Sequence, residues 1–519
     1  IVELKNGKKS QVNWYQFKIP IREYTSQQGN IRDFRSIRFM RLFLNGFEEE
    51  THLRFGTLRL VRGDWKVYSK NLYDINTPPT TNATLDISAV SIEENSNKEP
   101  VNYVLPPGVT RETDPSQPQI RQQNEQALQM RVENLSPNDA RAVYKNLSFD
   151  LRQYGRIQMF AHAEQLLDEK TDELKDNEVS IFLRIGSDLT NNYYEYEVPL
   201  KITPRGRYAS EEGASVWPQE NMIDFPLSLF TKVKQNRNKE SKRENSSVSF
   251  LLPYSEYDPE HIQNKVTIVG NPNLGDVETM MLGVRNNGRS PKSAEIWANE
   301  LRLTDYNEKG GWGAVSDLAI SFSDFGNFNV SGRIETAGFG GIEDNVQSRN
   351  LDDRYQVNLS TAFELGKLFP EKAKVHLPIF FSYSQDYTKP QYNPLDQDVL
   401  LDDAIDNLET EEEKEDLRRN SVTKAVTKSV NLTNVKVDYS GNKPRIYDPA
   451  NFSVSYAYNE TSDLDPETER DFTKQHQGSF IYDFNTTPKP WEPFKNMKGL
   501  NKPIFKIIQD FNLFYLPSR

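Results

Sequence analysis

Residues 354–364 read Arg354-Tyr355-Gln356-Val357-Asn358-Leu359-Ser360-Thr361-Ala362-Phe363-Glu364. Tyr355, Val357, Leu359 and Phe363 occupy every second position, and Gln356, Asn358, Ser360 and Glu364 fill the gaps. A period of two puts the apolar side chains on one face of a strand and the polar ones on the other. The same alternation returns on both sides of this stretch. It appears at Leu318, Ile320 and Phe322; at Phe328, Val330 and Ile334; and at Val375, Leu377, Ile379, Phe381 and Tyr383. It continues at Val435, Val437 and Tyr439, at Phe452, Val454, Tyr456 and Tyr458, at Phe480, Tyr482 and Phe484, and at Ile507, Phe511, Leu513 and Tyr515. A tilted strand of about 9–11 residues is long enough to cross a bilayer. Residues 311–519 are therefore expected to form transmembrane β-barrel strands, with a soluble sandwich solvated on one face as the competing arrangement.

The connections between these segments alternate in length. Gly326-Asn327 is a tight turn, 336–353 is long, 366–372 is short, 385–428 is very long and 441–450 is short again. Short inner turns and long outer loops are the pattern of outer-membrane barrels, and the long stretch 485–506 breaks it. If tight turns face the periplasm, the first of these strands starts at the outer face. Whatever precedes it, and the loop 385–428, then lie outside the cell.

Upstream the strands are shorter. Trp14-Tyr15-Gln16-Phe17-Lys18-Ile19-Pro20-Ile21 resembles Tyr193-Tyr194-Glu195-Tyr196-Glu197-Val198-Pro199-Leu200. Each is followed by an apolar strand, at 37–44 and at 280–285, and then by Leu-Arg-Leu, at 58–60 and 301–303. The shared order predicts a duplicated β-sandwich domain of jelly-roll type. The second copy, 136–310, has additional strands at 147–151, 157–163 and 179–185. The first, 1–72, has no room for them, so it reads as the C-terminal half of a truncated repeat, completed by a separate or cleaved polypeptide. Residues 73–135, rich in Pro, Asn, Thr and Gln, read as an extended connector with a strand near 85–92.

Composition narrows the function classes. Over 519 residues, 36% are apolar and the mean hydropathy is −0.74, as in a barrel with a wet lumen. A net charge of −12 argues against nucleic acid as a partner. The absence of cysteine excludes disulfides, thiol catalysis and thiolate metal sites. No run approaches the length of a membrane helix. Ile1 opens no signal peptide, and the missing initiator Met suggests a mature product or an excised piece. The histidines, His52, His162, His261, His376 and His476, lack zinc-site spacing. Gly338-Phe339-Gly340-Gly341 lacks the Lys and helix of a phosphate loop. The acidic tract Asp396, Asp398, Asp402, Asp403, Glu409 and Glu411–Glu413 offers oxygen ligands for calcium without the EF-hand spacing, so a solvated acidic face is favoured. Within it, Leu401, Ile405 and Leu408 have helical spacing. No catalytic, cofactor-binding or metal residues are expected, and no enzymatic activity.

Four further strings carry a resemblance: Phe34-Arg35-Ser36-Ile37-Arg38-Phe39-Met40-Arg41; Tyr103-Val104-Leu105-Pro106-Pro107-Gly108-Val109-Thr110-Arg111-Glu112; Ile296-Trp297-Ala298-Asn299-Glu300-Leu301-Arg302-Leu303; and Pro390-Gln391-Tyr392-Asn393-Pro394-Leu395-Asp396-Gln397-Asp398. Together they resemble the SprA/Sov family, the outer-membrane translocon of the type IX secretion system and gliding machinery of Bacteroidota. The resemblance runs nearly end to end. It implies a much longer parent polypeptide forming one very large barrel that passes folded proteins to the cell surface. It also implies a lateral opening occupied by a PorV-type shuttle protein, a periplasmic plug protein, cargo with C-terminal sorting domains, and contact with outer-membrane lipid. Two other functions remain in view. One is a surface carbohydrate-binding sandwich using Trp14, Trp65, Trp217 or Trp297, although core tryptophans are the simpler reading; the other is a porin or nutrient transporter.

Overall fold

The computed structural model describes residues 40–56, 63–72, 81–111, 113–114, 121–166, 172–344, 348–438, 445–485, 489–496 and 506–515, with a few shorter pieces. The chain divides into Ile1–Arg62 and Gly63–Arg519. In the first unit Val2–Glu3 pairs with Lys9–Ser10, and 40–56 carries no regular element. Stretches 14–21 and 58–60, on which the truncated-repeat expectation rests, lie almost wholly outside the described residues.

The second unit begins with a two-sheet sandwich. Its strands are β1 (Lys66–Val67), β2 (Thr84–Ser91), β3 (Gln126–Leu135), β4 (Ala140–Phe149), β5 (Tyr154–Gln165), β6 (Val179–Gly186), β7 (Tyr193–Pro199), β8 (Ile223–Pro226), β9 (Tyr254–Tyr257), β10 (Lys265–Val269), β11 (Val277–Asn286) and β12 (Lys292–Tyr306). One sheet has the order β9-β10-β7-β6-β11-β4-β1, the other β8-β5-β12-β3-β2. Without the edge additions β1, β2, β9 and β10, eight strands remain. The first and last of these, β3 and β12, lie side by side in the smaller sheet, and β4 and β11 lie side by side in the larger, the two nested Greek keys of a jelly roll.

Alternation explains which side chains meet inside. Val179, Ile181, Leu183 and Ile185 of β6, Tyr194, Tyr196 and Val198 of β7, and Leu282 and Val284 of β11 face Met130, Val132, Ile157, Met159, Ala161, Ala294 and Ile296 of the smaller sheet. Helix α1 (Ser228–Ser241) closes one end by burying Leu229, Phe230 and Val233 in the same core. The outer faces of both sheets are also covered. Gly283 lies directly opposite Phe182, whose ring fills the space a side chain would need.

The connector expected at 73–135 gives way here. The strand expected near 85–92 is present at 84–91, but 126–135 is a second strand of the smaller sheet, and Val101, Tyr103 and Val104 form a second core with Trp217 and Trp297. The physical reason is that β12 turns Trp297 away from the main core, and an indole is too large to leave on an uncovered sheet. The Trp217 indole donates to the Val104 carbonyl at 2.8 Å, and His162 stacks on Trp297 at 3.9 Å. Both tryptophans are at most 2% exposed, which removes them as sugar-stacking platforms.

After Tyr306 a further sheet follows as a meander. It comprises β13 (Gly313–Ser321), β14 (Gly326–Glu335), β15 (Asp352–Glu364), β16 (Pro378–Pro390), β17 (Thr423–Val437), β18 (Phe452–Leu464) and β19 (Asp471–Tyr482), each antiparallel to the next. The short strand Val375–His376 also pairs with β17 and is separated from β16 at Pro378, which has no N–H to donate. The strand expected at 507–515 is instead a single helical turn, Lys506–Gln509, with one bridge between Trp491 and Leu513. Ile507 and Phe511 are four residues apart, a spacing that suits a helix as well as an interrupted strand. No helix among the described residues is long and apolar enough to cross a membrane.

The outer face of the larger sandwich sheet carries a buried charge ladder. Arg184 donates to Glu195 at 2.9 and 2.7 Å, Arg285 reaches Glu195 at 2.9 Å, and Arg285 also pairs with Glu197. Burial pushes the Glu195 carboxyl up, but the two guanidiniums outweigh it and hold it below its ordinary value of 4.5. A depressed acid contributes stability that is present above its unfolded value and lost as pH falls through the folded one. Thermal melting of the chain should therefore show a destabilisation on acidification below about pH 4.5 that is smaller in Glu195→Gln; identical pH slopes in the two proteins would refute it.

Candidate functional site

The meander has two chemically distinct faces, and its register makes each continuous. Partners across the strands align Leu318, Val330, Leu359 and Tyr383 in one row, which continues into the charged Lys428, Glu460 and Lys474, and Ile320, Phe328, Thr361, Phe381, Val430 and Tyr458 in the next. The intervening rows project from the other face. They read Asp317, Ser331, Asn358, Ser384, Thr427, Thr461 and Thr473, and Ala319, Asn329, Ser360, Ser382, Ser429, Asn459 and Gln475. Val315, Phe380 and Ile481 are the large apolar residues on this polar face. Seven strands at about 4.8 Å make a wall roughly 30 Å wide.

The polar face is the concave one. A hollow of about 400 Å³ is lined by Asp317, Ala319, Asn329, Ser331, Asn358, Ser360, Ser382 and Ser384 of the polar rows, with Leu318, Val330, Leu359 and Tyr383 between them. The apolar face is uncovered: Leu318 is 53% and Phe480 67% exposed. An open apolar surface of this extent marks contact with protein or membrane. Aromatic rings cluster toward its two ends. Phe322 and Phe325 lie 5.9 and 5.4 Å from Phe363, and Phe452 lies 5.7 Å from Phe480, beside the short connections; Tyr355 and Tyr387 pair at 6.0 Å near the opposite end. Among the described residues β13 and β19 each pair on one side only, so the wall has two open edges.

The wall is tied to the sandwich by the connection between β16 and β17. This segment forms a small hairpin, Tyr392–Asn393 with Asp396–Leu400, followed by α2 (Leu401–Asp406) and α3 (Glu411–Asn420). The hairpin docks on the sandwich. Lys234 of α1 is 1% exposed, and its ammonium pairs with Asp396 and with Asp398 at 2.8 Å and donates to the Pro272 carbonyl at 2.8 Å. Asp398 also accepts from the Tyr194 hydroxyl at 2.7 Å and the Leu274 N–H at 3.2 Å. Burial pushes the Asp396 carboxyl up against the pull of Lys234, and burial beside Asp398 pushes the Tyr194 phenol up. Around this centre Arg152 donates to the Gln397 carbonyl at 3.1 Å and lies 4.8 Å over the Tyr392 ring. Val399, Leu401 and Ile405 are buried beneath.

The acidic tract thus splits into parts with different roles. Asp396 and Asp398 neutralise a buried lysine, whereas Asp402 and Asp403 are exposed on the outer side of the amphipathic turn that Leu401 and Ile405 anchor. Glu413 completes a capping box with Thr410. Nothing in the acidic run distinguished the two buried carboxylates from their neighbours; the one available signal was Lys234, which follows Phe230 and Val233 on the buried side of α1.

Comparison with protein families gives one finding: a family model, SprA_N, described as motility related/secretion protein, matches residues 1–405. That range takes in the sandwich, the first four strands of the wall and the docked hairpin. No curated protein matches the chain.

Replacing Lys234 by Met strands two carboxylates in a buried site, which should cost about 3–5 kcal/mol. The triple change Lys234→Met, Asp396→Asn, Asp398→Asn should recover part of that, because no carboxylate is then left buried without a cation, while the buried Arg237 beside the site loses the charge of Asp396. Denaturant midpoints and the rate of proteolytic cutting at 406–422 measure both; a single variant as resistant as the parent protein would show that the hairpin is held by other contacts.

Proposed function

This chain belongs to the SprA_N family of motility-related and secretion proteins, and from that premise we propose that it forms part of the wall and cap of an outer-membrane channel that passes folded proteins to the cell surface. The observation that carries the proposal is the two-faced meander. Its concave polar face suits a water-filled lumen and its uncovered apolar face suits lipid. Strands of 9 to 15 residues are long enough to cross a bilayer at the usual tilt. The two open edges call for neighbouring strands from the rest of a longer parent polypeptide, because seven strands alone close only a narrow, side-chain-filled barrel.

Connection lengths support an orientation. The two longest segments, 336–351 and 391–422, lie at one end of the meander together with the short turn 465–470, and the tight turn 322–325 and the segment 365–377 lie at the other; the longest loops belong outside the cell. The sandwich enters the first strand from the long-loop end, so in this reading it caps the channel mouth outside the cell. The PorV-type shuttle, the periplasmic plug and cargo with C-terminal sorting domains are partners in this same proposal, and its role is non-catalytic. Carbohydrate binding is less well supported, since Trp217 and Trp297 are enclosed.

Single cysteines along β15 test the wall. At Asn358 and Ser360 they should react with a water-soluble maleimide in outer membranes, and at Val357 and Leu359 only with a lipophilic one. Uniform labelling by the water-soluble reagent would remove the lipid-facing surface. A cysteine at the exposed Ser210 tests the cap. It should be modified by an impermeant maleimide on intact cells, and labelling only after the outer membrane is opened would place the sandwich in the periplasm.

A further inference from the structure

The apolar face of the wall changes character along its last three strands. Outward positions of β17 read Lys424, Val426, Lys428, Val430 and Leu432 from the loop end downward. Those of β18 read Glu460, Tyr458, Tyr456, Val454 and Phe452, and those of β19 Phe472, Lys474, His476, Gly478 and Phe480. The half nearer the short connections is aliphatic and aromatic. The half toward the 391–422 loop bears three lysines.

These lysines form one patch. Lys428, Glu460 and Lys474 are register partners on three adjacent strands, with ammonium-to-carboxylate distances of 3.2 and 3.8 Å. Glu460 serves both lysines and also accepts from the Tyr458 hydroxyl. Lys424 has no ion pair among the described residues. On the outward face of the strands three cations therefore face one carboxylate; the turn beyond carries Asp465, Glu467, Glu469 and Arg470. Lys474 lies 5.7 Å from the Phe472 ring and Arg470 4.5 Å from it, so an exposed aromatic sits between Lys474 and one further cationic head.

We propose that Lys424, Lys428 and Lys474 bind the phosphorylated headgroup of a glycolipid in the outer leaflet, against the external face of the channel wall. The inference rests on the reading of this face as lipid-contacting. A lysine at the bilayer midplane is strongly disfavoured but is accommodated at the interface, where its stem lies along apolar neighbours and its ammonium reaches the headgroup region. The patch is continuous with the apolar face, lies on the half of its strands nearer the end assigned to the outside, and on the strand face presents three ammonium groups to one carboxylate, which suits a ligand rich in phosphate. Lys428 and Lys474 are two strands apart, roughly 10 Å, and Lys424 is four residues further along its strand, so more than one phosphate is accommodated.

The test uses the full parent protein, extracted in mild detergent, with bis-phosphorylated lipid A as probe and dephosphorylated lipid A and phosphatidylglycerol as comparisons. Lys424→Gln, Lys428→Gln and Lys474→Gln together should reduce retention of the bis-phosphorylated lipid by about tenfold or more, leave the dephosphorylated lipid unchanged, and be rescued by the corresponding arginine substitutions. Equal retention by the glutamine variant overturns the proposal, as does equally tight binding of phosphatidylglycerol, which would make the source an ordinary phospholipid. Labelling of a cysteine at Leu359 by the water-soluble maleimide would instead overturn the lipid-facing reading itself, so the two failures are separable.

Discussion

A lysine buried to 1% exposure needs a counter-ion, and for Lys234 the counter-ions come from a segment more than 160 residues away. An isolated ammonium in a protein interior is costly enough that either the charge or the fold is lost. The sandwich alone supplies Lys234 with one carbonyl, that of Pro272, and the hydroxyl of Tyr194 approaches from the same side with a proton to donate. Asp396 and Asp398 fit both needs, one charge against another and an acceptor for the phenol. The placement of the hairpin, the burial of Leu401 and Ile405 behind it, and the seating of the wall beside the sandwich all follow from that neutralisation.

Much of this was legible in the sequence. The alternation from Leu318 to Tyr482 showed the wall and its two faces, because a strand's period depends only on local geometry. Strands such as 157–163, 179–185 and 193–199 were visible for the same reason, and their jelly-roll order matched the expected fold type. The failures concern tertiary partners. Val101, Tyr103 and Val104 sit in a Pro-rich stretch without period, and only the outward-facing Trp297 makes them a core. Arg184, Glu195, Glu197 and Arg285 look like the solvated side of alternating strands; they are buried because they satisfy one another across β6, β7 and β11.

Register links these observations. A slip of one residue between β15 and β16 would move Leu359 from beside Tyr383 to beside Ser384 and mix both faces of the wall. Small polar residues on the concave side, Ser360, Ser382 and Ser384 among them, leave the hollow unfilled, whereas a packed sandwich would fill it with aliphatic side chains. One polarity rule, read through two kinds of neighbour, therefore yields a close-packed jelly roll upstream and an open curved sheet downstream.

The sandwich meets the wall at two separate places along the chain: through the short passage after Tyr306, where Asn307 donates to the Gln153 carbonyl, and through the hairpin at 392–400. A body fastened by a single strand of chain can swivel about it. A body fastened at two points that lie on different strands, β13 and β16, resists both swinging and twisting. Mechanically it is a fixed bracket, and a load applied to the sandwich is carried into the backbone hydrogen bonds of the wall instead of being dissipated at a joint.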